Sequence, residues 1–439
     1  MPNAPATNWS ARLRAPLQRL SWGLGDQAVS SLTNFVVGMI VARSLGATEF
    51  GVFSLAWVTY GVAINVSRGL ATDPLVVRFS GVDNTSWRSA VSRSTGTAAS
   101  VGLATGAGCV LVGIALGGQL AAAFVALGIV LPGLLLQDSW RYAFFAHGQG
   151  GKALANDMTQ AVALVPALLL ATRHPTVLGF VLAWGVSGAV AAAVGCLQTR
   201  NVPNVAATRT WLREQRDLGP RFLFENLTLS GTSQLWMYGL GAISGLAAVG
   251  DVRGAQLLLG PFLAVLMGLS LVAVPEAARV LRNAPHRLPL FCILLGGVQL
   301  VGALAWGLAV IFVLPDAVGR LVLGSVWGPA VALVLPATVS AMCAGFATGH
   351  AAGLRALGAA RRSLRAQLIS SIVFVIAGLV GAVVAGPLGS YWGVALAGVL
   401  RVVVWWLELD AARREHEAAD VPGELSAVGV PAGGTEESA

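Results

Sequence analysis

The sequence predicts an all-α polytopic membrane protein, with 12 transmembrane helices in two pseudo-symmetric six-helix lobes around a central cavity. Three observations carry that prediction: an apolar composition, a regular spacing of apolar runs, and the placing of cations between them. Of 439 residues, 56% are hydrophobic and only 11% are charged, and the mean hydropathy is +0.74. A soluble surface carries roughly a quarter charged residues, so most of this surface faces something other than water. A span takes about 20 apolar residues, so twelve use roughly 240 and leave about 200 for connections and tails. That excludes an appended soluble domain of ordinary size.

Apolar runs of spanning length lie near 21–42, 50–71, 95–117, 119–138, 153–172 and 176–198, and again near 222–245, 254–274, 288–314, 326–348, 366–386 and 389–409. The organisation that follows is an N-terminal tail over 1–20, a first lobe over 21–198, an inter-lobe linker over 199–221, a second lobe over 222–410 and a tail over 411–439. The first run lacks a small-residue cleavage pattern behind it and reads as a retained span. From Glu415 the chain is polar, acidic and rich in Gly and Pro, which reads as disorder.

Cation placement tests the count through the positive-inside rule. With the N-terminus in the cytoplasm, 23 of the 28 Lys and Arg residues fall in inner segments. The outer connections hold only Arg43, Arg173, Arg253 and Arg320, and Arg401 falls within a span. One missed helix would scramble this alternation over half the chain, so both termini are expected inside. The net charge of +8 is therefore a topology signal. Its cations are spread between apolar runs, without the single patch that nucleic-acid binding requires.

The two halves echo each other faintly. Gly148–Lys152 matches Gly358–Arg362 at an offset of 210, Pro132 has a counterpart in Pro336, and Asp26 has one in Glu225. Two six-helix halves related by an axis along the membrane normal are a transporter architecture, and 54 glycines suit close helix packing.

No catalytic constellation is expected. The outer connections carry neither paired carboxylates nor a His–acid pair nor a nucleophile elbow, and the five histidines are scattered. Cys109, Cys196, Cys292 and Cys343 sit in apolar runs without metal-ligand spacing, so neither a metal nor another cofactor is expected.

Ionisable residues inside spans are the candidates for function, because each is costly there. Asp26 and Glu225 lie one to two turns into spans one and seven. Two readings stand: acids favoured by a helix N-terminus, or acids in an inward-facing cavity that bind a proton or cation. Arg68, near the inner end of span two, can snorkel to the interface. Arg401 is 12 residues beyond Gly389, or roughly 18 Å along a helix, past the midplane of a core about 30 Å thick. It is either a structural pair or a substrate-facing guanidinium. Asn34, Asn65, Gln160, Gln234 and Gln256 are polar span residues suited to a cavity wall or to inter-helix hydrogen bonds. Arg361, Arg362 and Arg365 read as a lipid-headgroup contact. Pro166, Pro261 and Pro336 are expected bending points.

Several short motifs carry a resemblance. Gly25-Asp26-Gln27-Ala28, then Ala42-Arg43, Leu45-Gly46 and Glu49-Phe50-Gly51 resemble the first hairpin of bacterial polysaccharide exporters, a branch of the multidrug/oligosaccharidyl-lipid/polysaccharide exporter superfamily. Asp138-Ser139-Trp140-Arg141-Tyr142 with Phe144-Phe145-Ala146 and Gly148 is similar to the stretch closing span four of that family, and Gly389 to Gly393 resembles its entry to span twelve. The resemblance implies two lobes opening alternately to each face, lined by spans one, two, seven and eight. It implies a flippase moving a polyprenyl-diphosphate-linked oligosaccharide to the outer leaflet of a bacterial inner membrane, among membrane lipids and other polysaccharide-assembly proteins. On that reading Arg401, Arg68, Gln256 and Asn34 meet substrate, and Asp26 and Glu225 couple an ion. A cation-coupled drug exporter of the same superfamily is the alternative. Related lipid II flippases carry two further spans. A major-facilitator carrier would need a loop that Arg68-Gly69-Leu70-Ala71-Thr72-Asp73-Pro74 does not match. A polysaccharide polymerase or ligase would need a long outer loop, which is missing.

Overall fold

The computed structural model describes residues 9–420. Every regular element among them is helical: α1 (Trp9–Ser44), α2 (Ala47–Ser67), α3 (Asp73–Phe79), α4 (Asn84–Leu116), α5 (Gly118–Ala146), α6 (Gly150–Ala171), α7 (Val177–Thr199), α8 (Thr208–Glu214), α9 (Gly219–Ser244), α10 (Leu246–Asn283), α11 (Leu288–Leu308), α12 (Asp316–Leu323), α13 (Trp327–Ala356) and α14 (Ala360–Asp420). A π-helical turn, Arg68–Thr72, joins α2 to α3 without a break. Among the described residues, nine helical stretches are long and apolar enough to cross a membrane. The last of them is bent at Ala385 and Gly386, where Gly386 has φ 60°. Two more helices, α9 and α10, have 26 and 38 residues, which at 1.5 Å per residue also exceeds a core about 30 Å thick.

Large apolar side chains stand on the outside of these helices. Phe312 and Val384 are each 78% exposed, which is tolerable only where hydrocarbon replaces water. Between helices the rule is the reverse, and small residues let backbones touch. A Cβ on Gly102 would lie 2.6 Å from Pro132 Cα, and one on Gly106 would lie 2.4 Å from the Gly128 carbonyl oxygen, so α4 and α5 meet backbone to backbone. The second half repeats the device between α11 and α13, where Gly296 faces the Phe346 carbonyl and Gly349 faces that of Cys292. Around these pairs α5 packs on α7, α6 on α1 and α7, α13 on α10 and α14, and α14 on α9.

The halves meet along α2. Its Gly51 is so close to α10 that a Cβ would fall 1.8 Å from the Leu246 carbonyl oxygen. Thr59 shares a 2.7 Å hydrogen bond with Tyr238 of α9, and Gly69 in the π-helical turn abuts Leu223. Asn226 Nδ2 donates to Asp73 Oδ2 at 2.7 Å. At the end away from the linker, Gly250 also abuts Ala47, and Gly324 lies against the Arg43 carbonyl.

The linker is ordered against the first half. Trp211 of α8 is buried and donates through Nε1 to the Leu70 carbonyl at 3.0 Å. Arg78 pairs with Asp217 at 2.6 Å and Arg93 with Glu214 at 2.7 Å. In the adjacent turn Asp83 caps α4 by accepting from the Ser86 N–H at 2.9 Å, and that bond holds its carboxyl below the ordinary value. At the other end of the chain, α14 continues as helix through Asp420, past Glu415 where disorder was expected to begin. The rest of that expected disordered tail, and residues 1–8 of the N-terminal tail, lie outside the described residues.

One expectation is corrected here. Arg253 belongs to no connection but sits about two turns inside α10. The link from α9 is Gly245 alone, with φ 86°, a conformation open to glycine and costly for other residues. The polar Asp251 and Arg253 delay the apolar run, and the helix starts before it.

The seam along α2 makes a stability prediction. Gly51→Ala is expected to lose about 1–3 kcal/mol through overpacking, read by thermal unfolding in micelles. Gly108→Ala, whose Cβ would meet nothing within 4 Å, is expected to be neutral or better. Equal stability of the two variants would contradict the seam.

Candidate functional site: a cationic cavity and a buried acid cluster

A cavity of about 750 Å³ separates α1 from α10, α13 and α14. Its polar lining comes from Gln27, Ser31 and Asn34 of α1, Arg253 and Gln256 of α10, Ser340 of α13, and Tyr391 of α14. Phe35, Leu257 and Leu263 supply apolar wall. Arg253 is the single charged residue among the lining residues. Its Nη1 donates to Gln256 Oε1 at 3.0 Å, and its guanidinium carbon is 5.8 Å from the centroid of the Trp57 ring. Trp57 is itself held by stacking on Trp184, centroid to centroid 4.6 Å. A guanidinium held by one amide and one ring face keeps donors free for a ligand, and the lining offers no carboxylate to neutralise it.

The first half holds the opposite balance. Arg68 grips Asp138 of α5 with two bonds, Nε to Oδ2 at 2.9 Å and Nη2 to Oδ1 at 2.7 Å, and lies 5.1 Å from the Tyr142 ring centroid. One turn on, Arg141 is ion-paired with fully buried Asp26 of α1, and its Nε lies 3.6 Å from Asp157 of α6. Gln137 donates to Asp157 Oδ1 at 2.9 Å. Asn156 Nδ2 donates to the Ala191 carbonyl at 2.8 Å, anchoring the cluster to α7. Three carboxylates thus face two guanidiniums, and Asp26 Oδ1 is buried without a hydrogen-bond partner. A surplus buried carboxylate with an empty acceptor is suited to taking up a proton or cation.

Of the residues marked from sequence, Asn34 and Gln256 line the cavity. Arg401 of α14 faces a smaller cleft that shares Ser340 and Ala344 with the cavity. Arg68 and Asp26 belong to the acid cluster and are absent from the cavity lining. Glu225 is exposed on α9, so the equivalence of Asp26 and Glu225 in sequence does not extend to their surroundings. Sequence reasoning missed Arg253, assigned to a connection, and the roles of Asp138, Arg141 and Asp157. The available signal was Asp138 and Arg141 three residues apart inside an apolar run, and Asp157 alone in another.

Breaking the Arg68–Asp138 pair from one side leaves an uncompensated buried charge. Asp138→Leu is expected to destabilise by about 3–5 kcal/mol. The double variant Arg68→Leu with Asp138→Leu is expected to recover most of that loss in detergent-solubilised unfolding. A neutral single variant would show that the pair does not tie α2 to α5.

No protein-family model and no curated protein matches the chain. Solved structures do. One described as the inward-facing conformation of a multidrug resistance MATE family transporter of the MOP superfamily aligns with TM-score 0.67 and 14% identity, covering 88% of this chain and 95% of that one. The lipid II flippase MurJ, in an inward closed conformation, aligns with TM-score 0.57 and 10% identity over 89% and 90%. A MOP superfamily transporter from Pyrococcus furiosus, described as having a binding pocket of reverse polarity, aligns with TM-score 0.54 and 14% identity over 92% and 96%. The chain has the fold of these membrane transporters and flippases, over nearly its whole length.

Proposed function

We propose that the protein is an alternating-access flippase that moves a polyprenyl-diphosphate-linked oligosaccharide from the inner to the outer leaflet of a bacterial inner membrane. The observation that carries this reading is Arg253, a guanidinium in the cavity with no carboxylate among the lining residues. A diphosphate headgroup cannot cross hydrocarbon without replacing its hydration. Arg supplies that replacement with paired donors matched to phosphate oxygens. Asn34 and Gln256 stand where sugar hydroxyls would bond, and the lipid tail stays in the bilayer beside α1. Transport of this kind makes and breaks no covalent bond.

The nine apolar stretches, the break inside α14 and the two further long helices support 12 spans, arranged as lobes over 21–198 and 222–410 with both termini cytoplasmic. The surplus carboxylate supports ion coupling at Asp26, with Asp157 rather than exposed Glu225 as its companion. That same cluster favours the second reading, a cation-coupled drug exporter, and the MATE fold allows it. An organic cation, however, would meet Arg253 with like charge.

Two experiments test the proposal. In proteoliposomes with a labelled lipid-linked sugar, Arg253→Gln is expected to cut translocation by about tenfold to a hundredfold, the worth of a charged hydrogen bond, while Arg253→Lys retains part of it. Efflux of a cationic drug, with no movement of the sugar lipid in wild type, would leave the exporter reading in its place. For topology, cysteines introduced as His174→Cys and Arg361→Cys are expected to label from opposite sides of the membrane. Labelling from one side would end the 12-span arrangement.

A further inference from the structure

We infer that the second half contains a binding site for a small anion, seated on Arg401 in the cleft between α9, α13 and the two limbs of α14. The cleft holds about 170 Å³ and is lined by Thr232, Ser340, Gln367, Ser371 and Arg401 among others, with no carboxylate. Arg401 Nε is buried and has no hydrogen-bond partner among the described residues. A guanidinium so placed within apolar helices demands an opposite charge, and the described residues lining the cleft supply none.

The hydroxyls around it are sorted by their own bonds. Ser370 Oγ donates to the Ala366 carbonyl at 2.6 Å and Ser233 Oγ to that of Ser230 at 3.0 Å, so both protons are committed. Ser371 Oγ instead accepts from Gln367 Nε2 at 3.2 Å, which leaves its own proton to point elsewhere. Thr232 and Ser340 line the same space, and neither hydroxyl has a hydrogen bond among the described residues. Three hydroxyl donors and a guanidinium line one cleft without a charged acceptor among its lining residues, and that donor set fits a halide or a phosphate group. The volume admits an anion of inorganic size and excludes an oligosaccharide. Ser340 and Ala344 are common to the cleft and the cavity, so the two spaces are neighbours across α13. Its source is either a free ion or the phosphate of a lipid headgroup. The site stands independently of the cargo proposed for the cavity.

The test uses the full chain in nanodiscs, with radiolabelled chloride and inorganic phosphate as probes and the larger gluconate as control. Wild type is expected to bind a small anion saturably, with a matching rise in the thermal midpoint that gluconate does not give. Arg401→Gln is expected to weaken binding at least tenfold, whereas Arg173→Gln in the exposed turn after α6 retains it. The double variant Thr232→Val with Ser340→Ala keeps the guanidinium and is expected to weaken binding several-fold, which covers the case in which Arg401→Gln fails to fold. A soluble short-chain prenyl diphosphate separates the sources: displacement of the ion, lost in Arg401→Gln, identifies a headgroup phosphate, and joint binding identifies a free ion. Absence of saturable binding in wild type overturns the site. So does binding that survives both Arg401→Gln and the double variant, or that Arg253→Gln alone removes.

Discussion

A charge surrounded by hydrocarbon must find an opposite charge, and the two halves of this molecule meet that constraint differently. In the first half the counter-charges are built in. Asp138 and Asp26 are spent on Arg68 and Arg141, and Asp157 remains as a surplus acid within reach of Arg141. In the second half Arg253 and Arg401 have an amide, a ring face and hydroxyls around them but no acid. The first arrangement is closed to anions and open to protons. On the proposed readings the second is completed by a negative group from outside. Removal of hydration from a phosphate and neutralisation of a guanidinium are then one event.

The backbone contacts that bring these charges together depend on missing side chains. Gly51 and Gly69 allow α2 to lie directly on α10 and α9, while the Gly102–Pro132 and Gly296–Phe346 approaches fix the helix pair inside each half. The cavity lies beside α1, whose lining residues run from Gln27 to Phe35. The contact at Gly38 and Leu257 limits it toward the end away from the linker.

Much of the fold was legible because spans are a one-dimensional signal, an apolar run bounded by polar residues. The α9–α10 junction was not, since Asp251 and Arg253 break the run while a single glycine, Gly245, makes the whole connection. The linker helix α8 was equally hidden, being seven residues long and stabilised by contacts to residues more than 100 positions earlier. Site legibility followed the same division. Asn34 and Gln256 could be marked as polar residues in spans. That Arg68 and Asp26 have built-in partners could not, because those partners lie 70 and 115 residues away. Sequence position records which charges enter the membrane but not which of them remain unpaired there.

Backbone contact along α2 is not the whole of the seam between the halves. On the α1 side the halves also touch, at Gly38 against Leu257 and at Arg43 against Gly324. The cavity between Gln27 and Phe35 lies toward the linker from those contacts, and on the proposed function a headgroup enters there. A cargo attached to a long hydrocarbon chain can then be admitted head first while its chain trails in the lipid. The dimensions of the enclosure restrict the polar head, and the length of the trailing chain adds nothing to what must be enclosed.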